Sequence, residues 1–300
     1  MEVYEVNTGE YLAIWLETYI EPFRRPSTAA GYRRAIDAVP PEVLQMPLSM
    51  VDGLTLQRAI NAKARRHPRA AQLQYAVLHS AFKRAHKLRM MEQNPMEAVE
   101  KPLHHARKAV ILNAEQLRRY LIAARNERVY PLLLLIALCG LRRSEALGLT
   151  WAAISGGVLR IEQQRVRVTG KGMQTAPLKS ASSRRDLPLA PQIVQELTAW
   201  RSAEGIRSFT GWICDTTPET LAKAHRRILA AEHLPPVTLH GLRHTMATLM
   251  AADGTAIKVL QGILGHSQYK LTADLYADHL TAEAYAGDLS RMATKICSFL

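Results

Sequence analysis

Cysteine is scarce in this chain: Cys139, Cys214 and Cys297 are the only three in 300 residues, and no two form a CxxC pair. That leaves no material for a disulfide framework or a thiolate zinc site, and it fits a reducing compartment. Long apolar runs are missing too. The longest, "PLLLLIALC" at 131–139, is too short to span a bilayer and predicts a buried core helix. The opening "MEVYEVNTGE" is acidic and lacks the basic start and apolar stretch of a signal peptide. There is no low-complexity tract, no internal repeat, no P-loop and no cluster of carboxylates. His240 and His244 stand at the i, i+4 spacing of a zinc pair, but Gly241 occupies the place where HExxH carries its glutamate, and no third ligand follows at a recognised spacing. A cytoplasmic, globular protein with no metal site and no cofactor is the expectation.

What the chain does have is positive charge. It carries 39 Lys/Arg against 26 Asp/Glu, a net charge of +13, and a pI near 9.9. The excess is spread along the chain, 16 basic against 11 acidic residues in 1–110 and 23 against 15 in 111–300. A polyanion, nucleic acid first, is the natural partner of such a surface. With 48% hydrophobic residues, the length suffices for two domains that each bury a core.

Apolar periodicity divides the chain. The first hundred residues read as all-helical: "TGEYLAIWLETYI" with Thr8 as a cap, "RPSTAAGYRRAIDAV" starting near Pro26 or Ser27, "SMVDGLTLQRAINAKARR", and a long fourth helix in "RAAQLQYAVLHSAFKRAHKLRMM" that Asn94-Pro95 should stop. The polar, basic "EKPLHHARKAVILNAEQ" reads as a linker. Beyond it, Asn113 and Gln116 form a capping box before "LRRYLIAAR", and Gly140 ends the buried helix. "GVLRIEQQRVRVTG" and "TAPLKSASSRRDLPLA" alternate and predict a small antiparallel sheet; from Pro191 the pattern is helical again.

Several polar residues sit where packing alone would choose otherwise. Arg142 follows a buried helix and a glycine turn in "CGLRRSEALGL", and Lys179 falls on a hairpin in "LKSASSRRDLPL". In "LHGLRHTMATLM", His240 and Arg243 share a face at i and i+3, close to a helix N-terminus whose free N–H groups favour an anion. "ILGHSQYKLTADLYADH" offers His266 after a glycine turn, with Tyr269, Tyr276 and Tyr285 near it. Singly each has an ordinary reading: a surface arginine, an edge lysine that discourages aggregation, a capped helix end, a tyrosine with a wet hydroxyl.

In this order, however, "GLRRSE", a hairpin lysine, "HGLRHTMAT", and "LGHS" with a tyrosine ten residues on resemble the tyrosine recombinase (phage integrase) family, whose pattern is Arg–Lys–His-x-x-Arg–His/Trp–Tyr. The resemblance covers roughly residues 112–290 and extends more loosely to the first hundred through "STAAGYRRAI" and "NPMEAVEKP". Cys139 departs from the usual threonine or serine, and the "AAISGGV" segment lacks the acidic residues often seen there.

The resemblance implies a mainly α fold with a small antiparallel β-sheet in the C-terminal domain, arranged as a two-domain C-shaped DNA clamp. Residues 1–100 would be a helical core-DNA-binding domain, 101–111 a basic interdomain linker, and 112–300 the catalytic domain with a C-terminal helix near 281–295 that docks on a neighbouring protomer. It implies a site-specific recombinase acting through a 3′-phosphotyrosyl intermediate, with no need of ATP or metal. Arg142 and Arg243 would hold the phosphate, Tyr276 attack it, His240 accept the tyrosine proton or bond the phosphate, His266 donate to a non-bridging oxygen, and Lys179 protonate the leaving oxygen. Lys171 is a competitor for the lysine role, and His244 reads as a packing residue. Arg24, Arg25, Arg33, Arg34, Lys83, Arg84 and Lys87 are candidate DNA contacts, with a solvated helix face as the alternative. The implied partners are double-stranded DNA, three further copies of the chain in a homo-tetramer on two paired sites, and accessory DNA-bending or directionality proteins; the implied location is the bacterial cytoplasm, with the nucleoid. The length suggests a core-site recombinase without the extra arm-binding domain of some phage integrases. A type IB topoisomerase-like nicking-closing enzyme and a non-catalytic DNA-binding factor on the same fold stay open as alternatives.

Overall fold

The computed structural model describes residues 6–104, 109–168, 170–206 and 211–266. The chain divides into two units, Met1–Arg107 and Lys108–Leu300, each with its own hydrophobic core.

The regular elements of the first unit, among its described residues, are helices: α1 (Thr8–Trp15), prolonged by a π-helical turn over Leu16–Ile20, α2 (Pro26–Asp37), α3 (Pro41–Gln45), α4 (Gly53–Arg66) and α5 (Pro68–Lys87). Asn7, rather than Thr8, caps α1: its side chain accepts from the Glu10 N–H while Glu10 reaches back to the Asn7 N–H. Helix α5 buries Ala71, Val77, Leu78, Ala81, Phe82 and Ala85 at helical spacing, each larger side chain contributing about 2 kcal/mol by leaving water. The Tyr11 hydroxyl donates to the Ala81 carbonyl at 2.6 Å and ties α1 to it.

The end of α5 departs from the sequence expectation. It stops at Lys87, seven residues before Asn94-Pro95, by a Schellman turn: the Met90 N–H bonds to Ala85 O and the Arg89 N–H to His86 O. Arg89 takes the left-handed position at φ 57°, which glycine usually fills. Asn94 and Pro95 instead open a short 3-10 helix, Pro95–Ala98.

The second unit runs α6 (Ala114–Ala124), α7 (Tyr130–Cys139), α8 (Arg143–Leu147), β1 (Ile154–Ser155), β2 (Val158–Ile161), β3 (Gln163–Val168), β4 (Gly172–Pro177), β5 (Arg185–Pro188), α9 (Pro191–Ala203), α10 (Pro218–Ala231), α11 (Leu239–Ala252) and α12 (Ile257–Leu264). The Asn113–Gln116 capping box starts α6. Helix α7 is buried at every position but Leu138, with Leu132, Leu133, Leu135 and Ile136 sealed from solvent, and Gly140 ends it in the left-handed region at φ 64°. A Cβ at Gly140 would lie 2.2 Å from Met246 Cε and 3.0 Å from Leu264 Cδ2. That close approach brings α11 and α12 against the end of α7.

The two alternating stretches make two small antiparallel sheets, one ordered β1-β2-β5 and the other a β3-β4 hairpin. Each stretch splits between them: β2 and β3 part at Glu162, and β4 and β5 at the connection 178–184. Lys179 therefore lies in that connection, not on the hairpin itself; Lys171 sits in the hairpin turn. Among the described residues, no helix is long and apolar enough to cross a membrane.

Candidate active site

Helix α11 begins at a Thr238 cap, whose hydroxyl accepts from the Gly241 N–H at 2.9 Å. No acidic residue occupies its first turn, so the dipole and free N–H groups there face a cationic neighbourhood. Arg243, one turn in, is 2% exposed. Its Nη1 donates to Gly140 O and its Nη2 to Leu264 O, both at 2.6 Å. Arg142, immediately before α8, donates through Nη2 to Gly265 O at 3.0 Å. The two guanidiniums thus hold consecutive carbonyls of the turn after α12.

Arg142 is itself held by Glu145. Its backbone N–H donates to Glu145 Oε2 at 2.9 Å and its Nη1 to Oε1 at 2.6 Å, with Ser183 Oγ accepting from the same Nη1 at 3.2 Å. Glu145 is almost sealed from solvent and also accepts from Arg185 Nη2 at 3.0 Å. Burial by itself would raise the Glu145 pKa, but the charge and hydrogen bond of Arg185, followed by the bonds from Arg142, outweigh it and hold the carboxyl below its ordinary range. One buried carboxylate therefore serves two arginines.

The histidines sit in the resulting positive field. His240 and His244 meet edge to face with ring centroids 4.5 Å apart. Partial loss of water, then the charges of His244, Arg243, Arg142 and Lys179, push the His240 pKa down to about 4. Partial burial and the charges of Arg243 and Arg142 do the same for His266, also to about 4. Burial and Arg243 lower His244, whose Nδ1 is buried without a hydrogen bond. Burial and Arg142 lower Arg243 as well, yet a guanidinium starts so high that it stays cationic at neutral pH. The geometry thus brings Arg142, Arg243, His240 and His266 within electrostatic reach of one another, with Lys179 within reach of His240. Tyr269, Tyr276, Tyr285 and the expected final helix lie outside the described residues.

A cleft of about 1170 Å³ opens beside these groups, lined by Arg142, Arg143, Lys179 and His240 and continued by Arg165, Arg167 and Arg226. Arg165 lies over the Trp212 ring at 4.3 Å and pairs with Asp215 at 2.9 Å, while Arg167 pairs with Glu219 at 3.0 Å. Lys171, in its exposed turn, does not line the cleft. Arg243 and His266 do not line it either, so the lining offers an extended anion the cations of Arg142, Arg143, Lys179 and Arg226.

Of the N-terminal candidates, Arg24, Arg25, Arg33, Arg34, Lys83 and Lys87 are exposed, and Arg84 is half-buried over the Tyr19 ring at 4.6 Å. Arg33 pairs with Glu21 at 2.5 Å, and Arg34 bonds the Ala30 carbonyl.

Sequence reading passed over Glu145, Arg185, Ser183 and His225. Glu145 had a usable signal, a carboxylate three residues after Arg142. His225 had none: it is buried between the Tyr120 hydroxyl and the Val237 carbonyl, both at 2.8 Å, and so fixes the segment that leads into the Thr238 cap.

The depressed histidines carry a pH consequence. In the folded state His240 and His266 prefer to be neutral down to about pH 4, whereas in the unfolded chain they bind protons near 6.5. Their contribution to stability is therefore complete above about pH 6.5 and is lost progressively as pH falls from there toward 4. The melting temperature should be level above neutrality and fall across that window. Inorganic phosphate at pH 5–6 should raise it more than chloride of equal ionic strength, because an anion in the cleft lets the rings take up protons. Equal effects of the two salts would contradict an anion site.

Comparison with known proteins follows the same outline. The profile of the phage integrase family matches residues 110–283. A "Tyrosine recombinase XerC-like" protein of Caldanaerobacter subterraneus subsp. tengcongensis is 24% identical, over 91% of this chain and 79% of that one. Matches to further XerC proteins span about half the length of those relatives, 41% and 50% in two of them. Among solved structures, the Tn1549 transposon integrase in complex with a circular intermediate DNA superposes with a TM-score of 0.79 at 19% identity, covering 95% of this chain and 99% of that one. A lambda integrase tetramer bound to a Holliday junction gives 0.71 at 17% identity, covering 91% and 78%. The structural likenesses establish the fold; with the family profile matching more than half of its length, the chain belongs to the phage integrase family of tyrosine recombinases.

Proposed function

We propose that this recombinase cuts and rejoins DNA at a specific site, the Tyr276 hydroxyl attacking a phosphodiester held by Arg142 and Arg243. The observation that carries the reading is the convergence of those two guanidiniums on consecutive carbonyls, with His240 and His266 beside them. In the attack the Tyr276 oxygen forms a bond to phosphorus, the bond from phosphorus to the 5′ oxygen breaks, and a 3′-phosphotyrosyl link remains. The pentacoordinate transition state carries extra negative charge, which two preorganised forks stabilise by about 3 kcal/mol for each well-placed donor.

His240 is neutral at working pH and can accept the tyrosine proton, and the phosphate that arrives beside it offsets the cations that depressed it. Lys179, which lines the cleft within reach of His240, gives a proton to the departing 5′ oxygen; its position supports this role over Lys171. The link conserves the energy of the phosphodiester, so a second 5′ hydroxyl can reverse the step without ATP.

Double-stranded DNA is the substrate in this reading. The N-terminal unit supplies a second binding surface through Arg24, Arg25, Arg33, Arg34, Lys83, Arg84 and Lys87, and the lambda integrase assembly supports a tetramer on two paired sites as the working form. Accessory DNA-bending proteins would act on that assembly in the bacterial cytoplasm.

The test is to incubate the full chain with nicked suicide duplexes tiled across the DNA that flanks its gene, without divalent metal. A covalent protein–DNA adduct on one duplex, with exchange between paired sites, is expected. An adduct with plasmid relaxation and no exchange would assign a topoisomerase-like activity instead. Binding without an adduct on any duplex would leave a DNA-binding factor.

A further inference from the structure

Arg185 has no place in the chemistry proposed above, yet its guanidinium is held through all three nitrogens beside it. It opens β5, its side chain only 7% exposed, and it does not line the cleft. Its Nε donates to Ile263 O at 2.7 Å, its Nη1 to Ser183 O at 2.9 Å, and its Nη2 to Glu145 Oε2 at 3.0 Å. The three acceptors belong to three segments. Ile263 is in the last turn of α12, which leads through Gly265 to His266. Ser183 ends the 3-10 turn before β5, and its hydroxyl accepts from Arg142. Glu145 holds both the backbone and the guanidinium of Arg142.

The turn after α12 passes directly over this side chain: a Cβ at Gly265 would lie 3.0 Å from Arg185 Nη1 and 2.9 Å from Ser182 O. We infer that Arg185 is a positioning residue, its forked guanidinium locking Arg142 and the turn that carries His266 into one frame so that both meet the same phosphate. The inference rests on the proposed phosphate role of those two residues.

Geometry explains why the residue is arginine. Three acceptors that diverge from one another need N–H groups at fixed, widely spaced angles, which a guanidinium offers and a lysine ammonium does not. Charge adds to this. The buried Glu145 faces Arg142 beside α8 and Arg185 on β5, with Arg243 of α11 within electrostatic reach. Without Arg185, one of its two bonded cations is gone. Arg243 and Cys139, at the end of α7, are also within electrostatic reach of Arg185; burial pushes the Cys139 thiol up to about 12, keeping it neutral.

Arg185→Lys keeps the charge and removes the fork; Arg185→Gln removes both. In the full chain without DNA, amide hydrogen exchange should quicken at Arg142, whose N–H is held by Glu145, and at His266, bonded to Gln261 O. About a tenfold increase is expected in the lysine variant, with the β3-β4 hairpin unchanged. On a suicide duplex that the wild type cleaves, the lysine variant should form adduct about tenfold more slowly with DNA affinity preserved. In the glutamine variant, which loses the charge as well, the acidic limb of the pH profile should move to higher pH, as Glu145 becomes easier to protonate. Should the glutamine variant fail to fold, the lysine variant decides alone. Unaltered exchange at Arg142 and His266, or equal quickening across the whole unit, would overturn the proposal. If the wild type forms no adduct on any duplex, the catalytic reading fails, and the exchange result still decides whether Arg185 frames these two residues.

Discussion

Tyr276→Phe is expected to bind DNA as the parent chain does and to form no covalent adduct. The substitution removes one oxygen and keeps the ring. Binding is spread over many phosphate contacts and should change less than twofold, with the same dependence on salt. The chemistry, by contrast, would lose the atom proposed to bond phosphorus. Removing a nucleophile from a preorganised site costs on the order of a million-fold in rate, which in a gel assay reads as no band. Covalent capture on the suicide duplex, followed by peptide mapping, checks both halves. An adduct that persists on the variant would move the nucleophile to another tyrosine, Tyr269 or Tyr285 first.

Arg243→Ala should damage the protein twice over. The side chain is buried and bonds the carbonyls of Gly140 and Leu264. Each of those acceptors, left without a partner, costs about 1–3 kcal/mol, so urea denaturation should show a loss of several kcal/mol. Cleavage at a temperature where the variant stays folded should fall about a thousand-fold, the upper end for one preorganised donor group. Arg243→Lys separates the two effects: its ammonium can restore charge and one carbonyl bond but not the planar fork. It should recover much of the stability and remain about a hundred-fold slow. A lysine variant with near-normal cleavage would mean that charge alone is needed at this position and that the fork is incidental.

Much of this architecture can be read from local sequence, and the parts that cannot share a physical cause. Asn113 and Gln116 announce α6, and Gly140 announces the end of α7, because capping and left-handed turns are decided by a few adjacent residues. The end of α5 was illegible for the same reason: "LRMMEQN" contains no breaker, and Arg89 takes the glycine position only because the Schellman bonds hold it there. The alternating stretches identify strands but not partners. Nothing within "GVLRIEQQRVRV" says that β2 pairs with β5 while β3 turns back on β4. Lys179 moved off the hairpin for that reason.

In the candidate site, Arg142, His240, Arg243 and His266 stand in motifs with recognisable spacing, so the sequence could nominate them. Arg185 and Ser183 act through contacts with residues dozens of positions away, and spacing carries no trace of such pairings. Between the two cases lies Glu145: its distance from Arg142 along the chain is informative, but its burial, which makes it matter, is a tertiary property.

The carbonyls that Arg142 and Arg243 grasp have a consequence for biosynthesis. Arg142 bonds a group 123 residues further along the chain, and Arg243 bonds one 103 residues behind it. Until the ribosome has delivered the turn at 264–265, Arg142 has only Glu145 and Ser183 to hold it and Arg243 only Gly140, so nothing yet sets the two guanidiniums side by side in a nascent or prematurely terminated product. In the proposed reading, a chain cut short before that turn carries both cations without the frame that would align them on one phosphate.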